Sequence, residues 1–204
     1  MANNLKSCVL VKGNEEVVKL IDSMIDKVRD NESDSSVTAF ATAFYDEVDL
    51  DEDRGVMNTW SYENLGSKWT TLYDATSEGE FLIESAWYPP KKFFMHLYNL
   101  CFPLDNDVVI EVTYEDETYS PVGAVVIKGI EYDPEDYDEK QGNISVEEDN
   151  SLEDPTVDKD WDDEDYDQVQ MEFSESVYDK QQELLDKCRR LVETDGMMFH
   201  EYQD

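Results

Sequence analysis

The chain has 204 residues, and its 51 acidic residues against 16 lysines and arginines give a net charge of −35. Nucleic acid backbones and anionic membranes both attract cations, so the composition argues against direct nucleic acid binding and against a membrane role. It leaves basic protein surfaces, cations or solubility at high salt as uses for the charge, and of these we favour a basic protein surface as the partner. An aromatic content of 12% predicts a hydrophobic core, because disordered acidic chains are poor in aromatic residues.

The cysteines indicate the cellular compartment. Cys8, Cys101 and Cys188 are widely spaced, odd in number and without a CxxC pair, which is typical of reduced thiols. The first residues lack the apolar run of a signal peptide, and no apolar stretch approaches the roughly 18 residues of a membrane span. We therefore expect a cytoplasmic protein.

The first predicted elements are a strand and a helix. Leu5 to Val11 is rich in valine and leucine and predicts a strand. Glu15 to Val28 places apolar residues along one stripe and predicts an amphipathic helix with Asn14 as its N-cap. After a polar loop, Val37 to Tyr45 is compatible with either a strand or a short helix.

Four more elements complete this region. Phe81 to Tyr88 predicts a strand that stops before two prolines, and Lys91 to Cys101 predicts a helix. Val108 to Tyr114 and Val122 to Ile130 predict the two strands of a hairpin. This order is typical of an α+β domain, here over residues 1–130, with helices on one face of a mainly antiparallel sheet.

The rest of the chain divides by charge. Residues 131–167 form an acidic segment with 18 acidic residues against Lys140 and Lys159, a net charge of −16, which leaves −19 on the other residues. Residues 168–204 recover helical spacing and predict a C-terminal helix of about 20 residues followed by a tail. We expect this helix to pack on the domain or on a second copy, which leaves a homodimer open.

Two segments carry a family resemblance. They run from Trp60 to Trp69 and from Phe81 to Pro90, and they resemble the ferredoxin-like domain of plasmid and phage proteins of the YubB type. That family has Glu-Asn-Trp-Gly-Thr-Lys-Trp followed by a strand ending in Thr-Ala-Trp-Ser-Pro-Pro. The matching residues, called the family motif below, are Glu63, Asn64, Gly66, Lys68, Trp69, Ala86, Trp87, Pro89 and Pro90. The departures from the pattern are Leu65, Ser67, Ser85 and Tyr88.

The resemblance covers roughly residues 5–132 and implies a ferredoxin-like fold in a protein of a mobile genetic element, so the cytoplasm is that of the host if a phage encodes it. The family carries no established enzymatic activity, so no catalytic residue is transferred. For the motif itself we favour a structural role over a ligand site. We expect a tight turn at Gly66, packing of Trp69 and Trp87 on the sheet, and pairing of Lys68 with Glu63 or Glu84.

No catalytic or cofactor-binding pattern stands out. His96 and His200 have no Cys or Asp partner at recognisable spacing, and the glycines are scattered, without a phosphate-binding loop. The acidic run from Asp49 to Gly55 fails as a calcium loop, because Arg54 and Trp60 occupy the positions that need Gly and Glu. We expect neither an enzyme nor a bound cofactor or specific metal site, although the acidic tail should bind divalent cations loosely. An unrecognised enzyme is held only as a third reading.

The acidic segment is the candidate binding surface. Its candidate contacts are Glu135, Asp136, Asp138, Glu139, Asp158, Asp160, Trp161, Asp162, Asp163, Glu164, Asp165 and Asp167, and its aromatic anchors also include Tyr132, Tyr137 and Tyr166. One reading is a solvated spacer. The reading we favour is DNA mimicry, in which carboxylates replace phosphates in the basic groove of a host nucleic-acid-binding or nuclease protein and inhibit it. The alternative is a phage scaffold or interaction module that binds through the C-terminal helix without DNA mimicry.

Overall fold

The computed structural model describes residues 3–31, 36–45, 48, 54–129, 144–152, 155 and 163–198. Within these residues the chain forms six strands and five helices. The strands are β1 (Asn4–Lys12), β2 (Thr70–Ser77), β3 (Glu80–Ala86), β4 (Val109–Asp116), β5 (Val122–Lys128) and β6 (Ile144–Asp149). The helices are α1 (Glu15–Asp30), α2 (Ser36–Phe44), α3 (Arg54–Asn64), α4 (Lys91–Cys101) and α5 (Asp163–Met198).

All six strands belong to one antiparallel sheet in the order β2-β3-β1-β4-β5-β6. The first strand of the chain is therefore central: Cys8 lies opposite Leu82 of β3 on one side and Thr113 of β4 on the other. The expectation of an α+β fold with a mainly antiparallel sheet is confirmed. The predicted N-cap is also present, since the Asn14 side chain accepts hydrogen bonds from the backbone N–H groups of Glu16 and Val17.

One face of the sheet carries the main core. Odd-numbered β1 residues such as Leu5 and Val9 are fully buried there, because side chains of a strand alternate between faces. Helices α1, α2 and α4 contribute their apolar sides to the same core. Phe40, Phe44 and Phe93 pack together, with ring centroids 4.9 to 5.1 Å apart.

The opposite face of the sheet is covered in part by α5. Val122, Ala124 and Val126 of β5 form a second core with apolar side chains of α5, including Leu184 and Cys188. The prediction of helices on one face, made for residues 1–130, agrees with α1, α2 and α4, which pack on the main core, whereas α5 lies on the opposite face. The physical reason is β5 itself: all of its residues from 122 to 127 are buried, so both of its faces need a covering layer.

The structure decides one open alternative and adds elements that were not predicted. Of the strand and the short helix that Val37 to Tyr45 allowed, the structure has the helix, α2. Helix α5 has 36 residues rather than about 20 and begins at Asp163, inside the charge-dominated segment. The sequence patterns did not predict α3, β2 or β6. Strand β6 has few apolar residues, and it joins the sheet by pairing with β5.

Candidate functional site

Most of the predicted acidic contacts cannot be placed. Glu135, Asp136, Asp138, Glu139, Asp158, Asp160, Trp161 and Asp162, with the aromatic anchors Tyr132 and Tyr137, lie outside the described residues. Asp163, Glu164 and Asp165 lie at the start of α5, and Asp167 is exposed in its second turn. Tyr166 is 43% exposed and is not buried as an anchor on the domain.

A longer acidic surface lies further along α5. Five exposed carboxylates follow one another at spacings of three or four residues, which places them on one side of the helix. We call them the acidic stripe: Glu172, Glu175, Asp179, Glu183 and Asp186. This side points away from the sheet, since the apolar α5 residues Val177, Leu184 and Cys188 lie on the opposite side of the helix. The sequence prediction missed this surface, although the helical spacing of its acidic residues is a signal that could have revealed it.

Most α5 cations point away from the stripe, toward the sheet. Lys180 pairs with Asp149 at 3.2 Å, Lys187 pairs with Glu147 at 2.6 Å, and Arg189 reaches the buried Glu111. Lys180 and Arg189 also contact Glu183 and Asp186, so the C-terminal part of the stripe is partly neutralised. The negative charge of the stripe is therefore strongest from Glu172 to Asp179.

The family motif brings together the end of α3, the adjoining ends of β2 and β3, and the start of α4. Gly66 has φ of +85°, the left-handed conformation that favours glycine, and confirms the predicted tight turn. Its N–H donates to Ser61 O, while Leu65 O accepts a hydrogen bond from the N–H of Phe93 in α4. A Cβ at position 66 would lie 3.3 Å from the backbone nitrogen of Lys92. The turn therefore permits a close approach of the two helices.

The remaining motif residues reinforce this junction. The Asn64 side chain donates to Trp60 O at 2.9 Å, and Trp69 O accepts hydrogen bonds from the Ala86 N–H and the Ser67 hydroxyl. Pro89 and Pro90 are buried where α4 begins, and Glu63 is exposed. Its backbone oxygen accepts from the Lys92 ammonium at 2.9 Å. These contacts support the structural interpretation of the motif.

Trp87 departs from its predicted role. Its side chain is 38% exposed and so is not a core residue packed on the sheet. Its backbone has φ of +64°, a conformation that costs energy for a bulky residue. Its N–H donates to Asn3 O at 3.1 Å, and the Ser85 hydroxyl donates to Tyr88 O at 2.9 Å. Both bonds hold the strained turn in place.

Lys68 pairs with an aromatic ring and not with a carboxylate. Its ammonium lies 5.2 Å from the centroid of the Trp87 ring, within the range of a cation–π interaction. The structure shows no ion pair from Lys68 to Glu63 or to Glu84, both of which it describes. The predicted salt bridge is therefore wrong. The exposed turn at Trp87 leaves the indole within reach of the flexible lysine.

A groove runs beside α5 on the second face of the sheet. It consists of two adjoining depressions of about 260 and 350 Å³ that share Cys8, Thr113 and Gln181. The Cys8 thiol donates to Glu80 at 3.3 Å. Burial, reinforced by this carboxylate, raises the pKa of Cys8 to about 12, so the thiol is protonated at neutral pH.

Glu111 closes one end of the groove. It is 6% exposed and lies between two cations, with its oxygens 2.6 Å and 2.8 Å from Arg189 and 2.7 Å from Lys12. Burial raises the pKa of Glu111, but the bonds from Arg189 and Lys12 outweigh burial and lower it overall. The ion pair fastens α5 to β4 at the edge of the groove.

The described residues contain neither a metal-binding cluster nor a membrane-spanning helix. In the described part of the chain, no group of three or more His, Cys, Asp or Glu residues is placed to hold a metal ion. No helix in that part has both the length and the apolar character needed to cross a membrane. No family model, no curated protein and no solved structure matches the chain. The YubB-type resemblance stays a prediction.

Proposed function

We propose that the chain is a non-enzymatic inhibitor that binds the basic groove of a nucleic-acid-binding or nuclease protein by DNA mimicry. The observation that carries this proposal is the acidic stripe on α5. It adds an ordered array of carboxylates to a chain whose net charge is −35. The array lies on a helix whose opposite side is anchored on the sheet, so the charges keep fixed spacing.

The spacing of the stripe supports the comparison with DNA. From Glu172 to Asp186 the helix rises about 21 Å, at 1.5 Å a residue, and this length carries five carboxylates. The mean separation along the axis is about 5 Å, against 3.4 Å for the phosphates of one DNA strand. The stripe is therefore somewhat less dense than one strand, and the surrounding negative charge of the chain adds to its field.

We further propose that the fold is ferredoxin-like, and the connectivity supports this. Elements β1, α1, β2, β3, α4 and β4 follow the split βαβ pattern, with the strand order β2-β3-β1-β4. Strands β5 and β6 extend this unit at one edge, and α5 covers the extension. The resemblance at the family motif suggests a mobile genetic element as the source of the chain. Inhibition of a host defence nuclease would be useful to such an element.

The test measures capture of bacterial DNA-binding proteins and its reversal by DNA. The immobilised chain is incubated with lysate, and bound proteins are eluted with rising salt or with duplex DNA. We expect the chain to capture nucleic-acid enzymes and either treatment to release them. Salt screens the attraction to the basic groove of the partner, and duplex DNA competes for that groove. A variant with Glu172→Gln, Glu175→Gln and Asp179→Asn should lose most of this capture. Retention that is unaffected by salt and by duplex DNA would contradict DNA mimicry.

A matched variant controls for net charge. Glu16→Gln, Asp26→Asn and Asp30→Asn remove three exposed carboxylates from α1, the same charge change on a different surface. This variant should retain capture. Equal losses from both variants would show that overall charge, and not the stripe, is what the partner recognises.

The interaction module is the second candidate function. Helix α5 also exposes apolar side chains: Met171 is 60% exposed and Tyr178 is 59% exposed. Tyr178 lies at the border of the groove. This position favours binding along the flank of α5, whereas the side that carries Leu184 is already buried on the sheet. Capture that survives the stripe variant, duplex DNA and high salt would support this function.

A further inference from the structure

The second face of the sheet is only half covered. Helix α5 lies mainly on β5, β6 and β4. On β1, β3 and β2 the described residues of this face include side chains that are partly or well exposed, such as Leu10, Leu82 and Tyr73, and we call this part the open sheet face. The floor of this face is set by the strand register. Cys8 lies between Leu82 and Thr113, and the neighbouring position on β1, Leu10, lies between Glu80 and Glu111.

The centre of the floor is apolar and half-buried. Leu82, Cys8 and Leu10 are partly exposed, and they adjoin one another in the register. Their positions on β3 and β1 give an apolar strip about 7 Å long and two strands wide, at 3.4 Å a residue and 4.8 Å between strands. Tyr73 stands on one side of the floor, 58% exposed, and Tyr178 of α5 stands on the other, 59% exposed.

Carboxylates surround this apolar strip. Lys6 lies opposite both Glu84 and Glu115 in the register, and its ammonium lies over the Tyr73 ring, 5.2 Å from the ring centroid. Burial raises the pKa of Glu115, against the opposing effects of Lys6 and Gln181. Glu80 lies at the other end of the strip and accepts from the Cys8 thiol. The rim therefore has four carboxylates (Glu80, Glu84, Glu111 and Glu115) against three cations (Lys6, Lys12 and Arg189), a surplus of one negative charge.

The packing of α5 indicates that this face of the sheet can bind a helix. A helix is about 10 Å across, and the open strands β1, β3 and β2 span a comparable width beside α5. Helix α5 already lies on the neighbouring strands of the same face, with an apolar side on the sheet and its cations against sheet carboxylates, as Lys187 does with Glu147. A second helix beside it would continue the same layer.

We propose that the open sheet face binds an amphipathic helix of a partner protein, with apolar residues on Leu82, Cys8 and Leu10 and lysines or arginines near Glu80, Glu84 and Glu115. The site lies along the flank of α5 next to the sheet, whereas the acidic stripe faces away from the sheet. The proposal does not depend on DNA mimicry. It predicts a side-chain pattern, an apolar stripe flanked by cations, and not merely a basic partner.

The test uses two designed peptides and the full chain. Both peptides have 14 residues, about four turns, with leucines on one side; one carries lysines on the other side and one carries glutamates. Fluorescence anisotropy of labelled peptide measures binding at about 150 mM salt, where long-range attraction is screened. We expect the lysine peptide to bind and the glutamate peptide to bind at least about tenfold more weakly.

Substitutions then locate the binding site. Leu82→Arg should weaken binding of the lysine peptide about tenfold or more, because it places a cation in the apolar strip. Leu104→Arg is the matched control, since Leu104 is 38% exposed outside the groove. It should leave the affinity within about threefold, as should the stripe variant Glu172→Gln, Glu175→Gln, Asp179→Asn. Thr113→Arg is a second groove variant in case Leu82→Arg fails to fold, which circular dichroism will show.

Three outcomes would overturn the proposal. The first is an unchanged affinity in folded groove variants. The second is loss of binding in the stripe variant alone, which would place the peptide on the acidic stripe and leave the proposed function intact. The third is self-association of the chain, measured by sedimentation equilibrium, that Leu82→Arg abolishes, since the occupant would then be a second copy.

Discussion

Arg189 of α5 binds Glu111 of β4 through two parallel hydrogen bonds of 2.6 and 2.8 Å, while Lys12 of β1 contacts the same carboxylate. The three residues come from three different elements. Bidentate guanidinium–carboxylate pairs fix both distance and orientation. This ion pair therefore helps to hold α5, and with it the acidic stripe and one wall of the groove, in place, together with the apolar contacts of α5 on β5.

We expect Glu111→Gln to destabilise the fold by about 2–3 kcal/mol, near the lower end for breaking a buried ion pair because both cations retain access to water. Urea unfolding monitored by circular dichroism measures the change. The control is Glu15→Gln, which removes the exposed pair with Lys19 and should cost at most about 0.5 kcal/mol. Equal effects of the two substitutions would show that the buried ion pair contributes no more to stability than the exposed one.

Asp149 gives a pH-dependent prediction. Its carboxylate accepts hydrogen bonds from the Ser151 hydroxyl and N–H and contacts Lys180, which together lower its pKa to about 2. Because the pKa in the folded state is below the unfolded value, the stabilisation is complete above about pH 4 and is lost as the pH falls toward 2. The stability difference between the wild type and Asp149→Asn should therefore be constant near pH 7 and shrink below pH 4. A difference that persists at pH 2 would contradict the assignment.

The turn at Trp87 tests the cost of a left-handed backbone. Trp87→Ala and Trp87→Gly both remove the indole and its contact with Lys68, but only glycine adopts φ of +64° without strain. We expect the glycine variant to be more stable than the alanine variant by about 1 kcal/mol in urea unfolding. The same pair of substitutions at Tyr88, which does not have positive φ, should give the opposite order.

Gly123 is required by a neighbouring aromatic side chain. The buried Tyr114 ring lies directly over this glycine, and its hydroxyl donates to Glu148 at 2.9 Å. Gly123→Ala should cost about 3 kcal/mol, because the added methyl group would overlap the ring. Urea unfolding of Tyr114→Leu with Gly123→Ala provides the control. The double variant should cost less than the sum of the two single changes, and strict additivity would argue against the contact.

Cysteine reactivity is the last prediction. Cys101 and Cys188 are fully buried, whereas Cys8 is partly exposed in the groove. A thiol reagent at pH 8 should therefore modify one cysteine in the native chain, and slowly, because burial and Glu80 raise the pKa of Cys8 to about 12. Glu80→Gln should accelerate the reaction, since it removes the negative neighbour. Mass spectrometry identifies the modified residue, and rapid reaction of all three cysteines would contradict this prediction.

The sequence predicted the elements with a clear apolar pattern. Leu5 to Val11, Glu15 to Val28 and Lys91 to Cys101 each show one regular spacing, and their structures agree to within a few residues. Strand β6 was missed because its charges conceal the alternation, and only its pairing with β5 makes it a strand. Burial of β5 on both faces appeared in its run of apolar residues, but that run alone did not reveal which helix covers the second face.

The candidate sites were less predictable than the fold. Gly66 was interpreted correctly, because a turn glycine has a local signature. The contact of Lys68 with Trp87 depends on an unusual backbone at a position where a tryptophan gives no sequence signal of strain. The open sheet face depends on the register of β1 with β3 and β4, and strands so distant in sequence cannot be aligned from local patterns.

The central position of β1 has a consequence for biosynthesis. Val9 of β1 pairs with Phe81 of β3 on one side and with Val112 of β4 on the other. The middle of the sheet therefore forms only after about half of the chain has been synthesised. Folds whose contacts join distant parts of the chain form slowly, and their nascent strands stay exposed to aggregation. A strongly anionic chain repels copies of itself during that interval. The same charge that favours a basic partner would thus protect the unfinished protein on the ribosome.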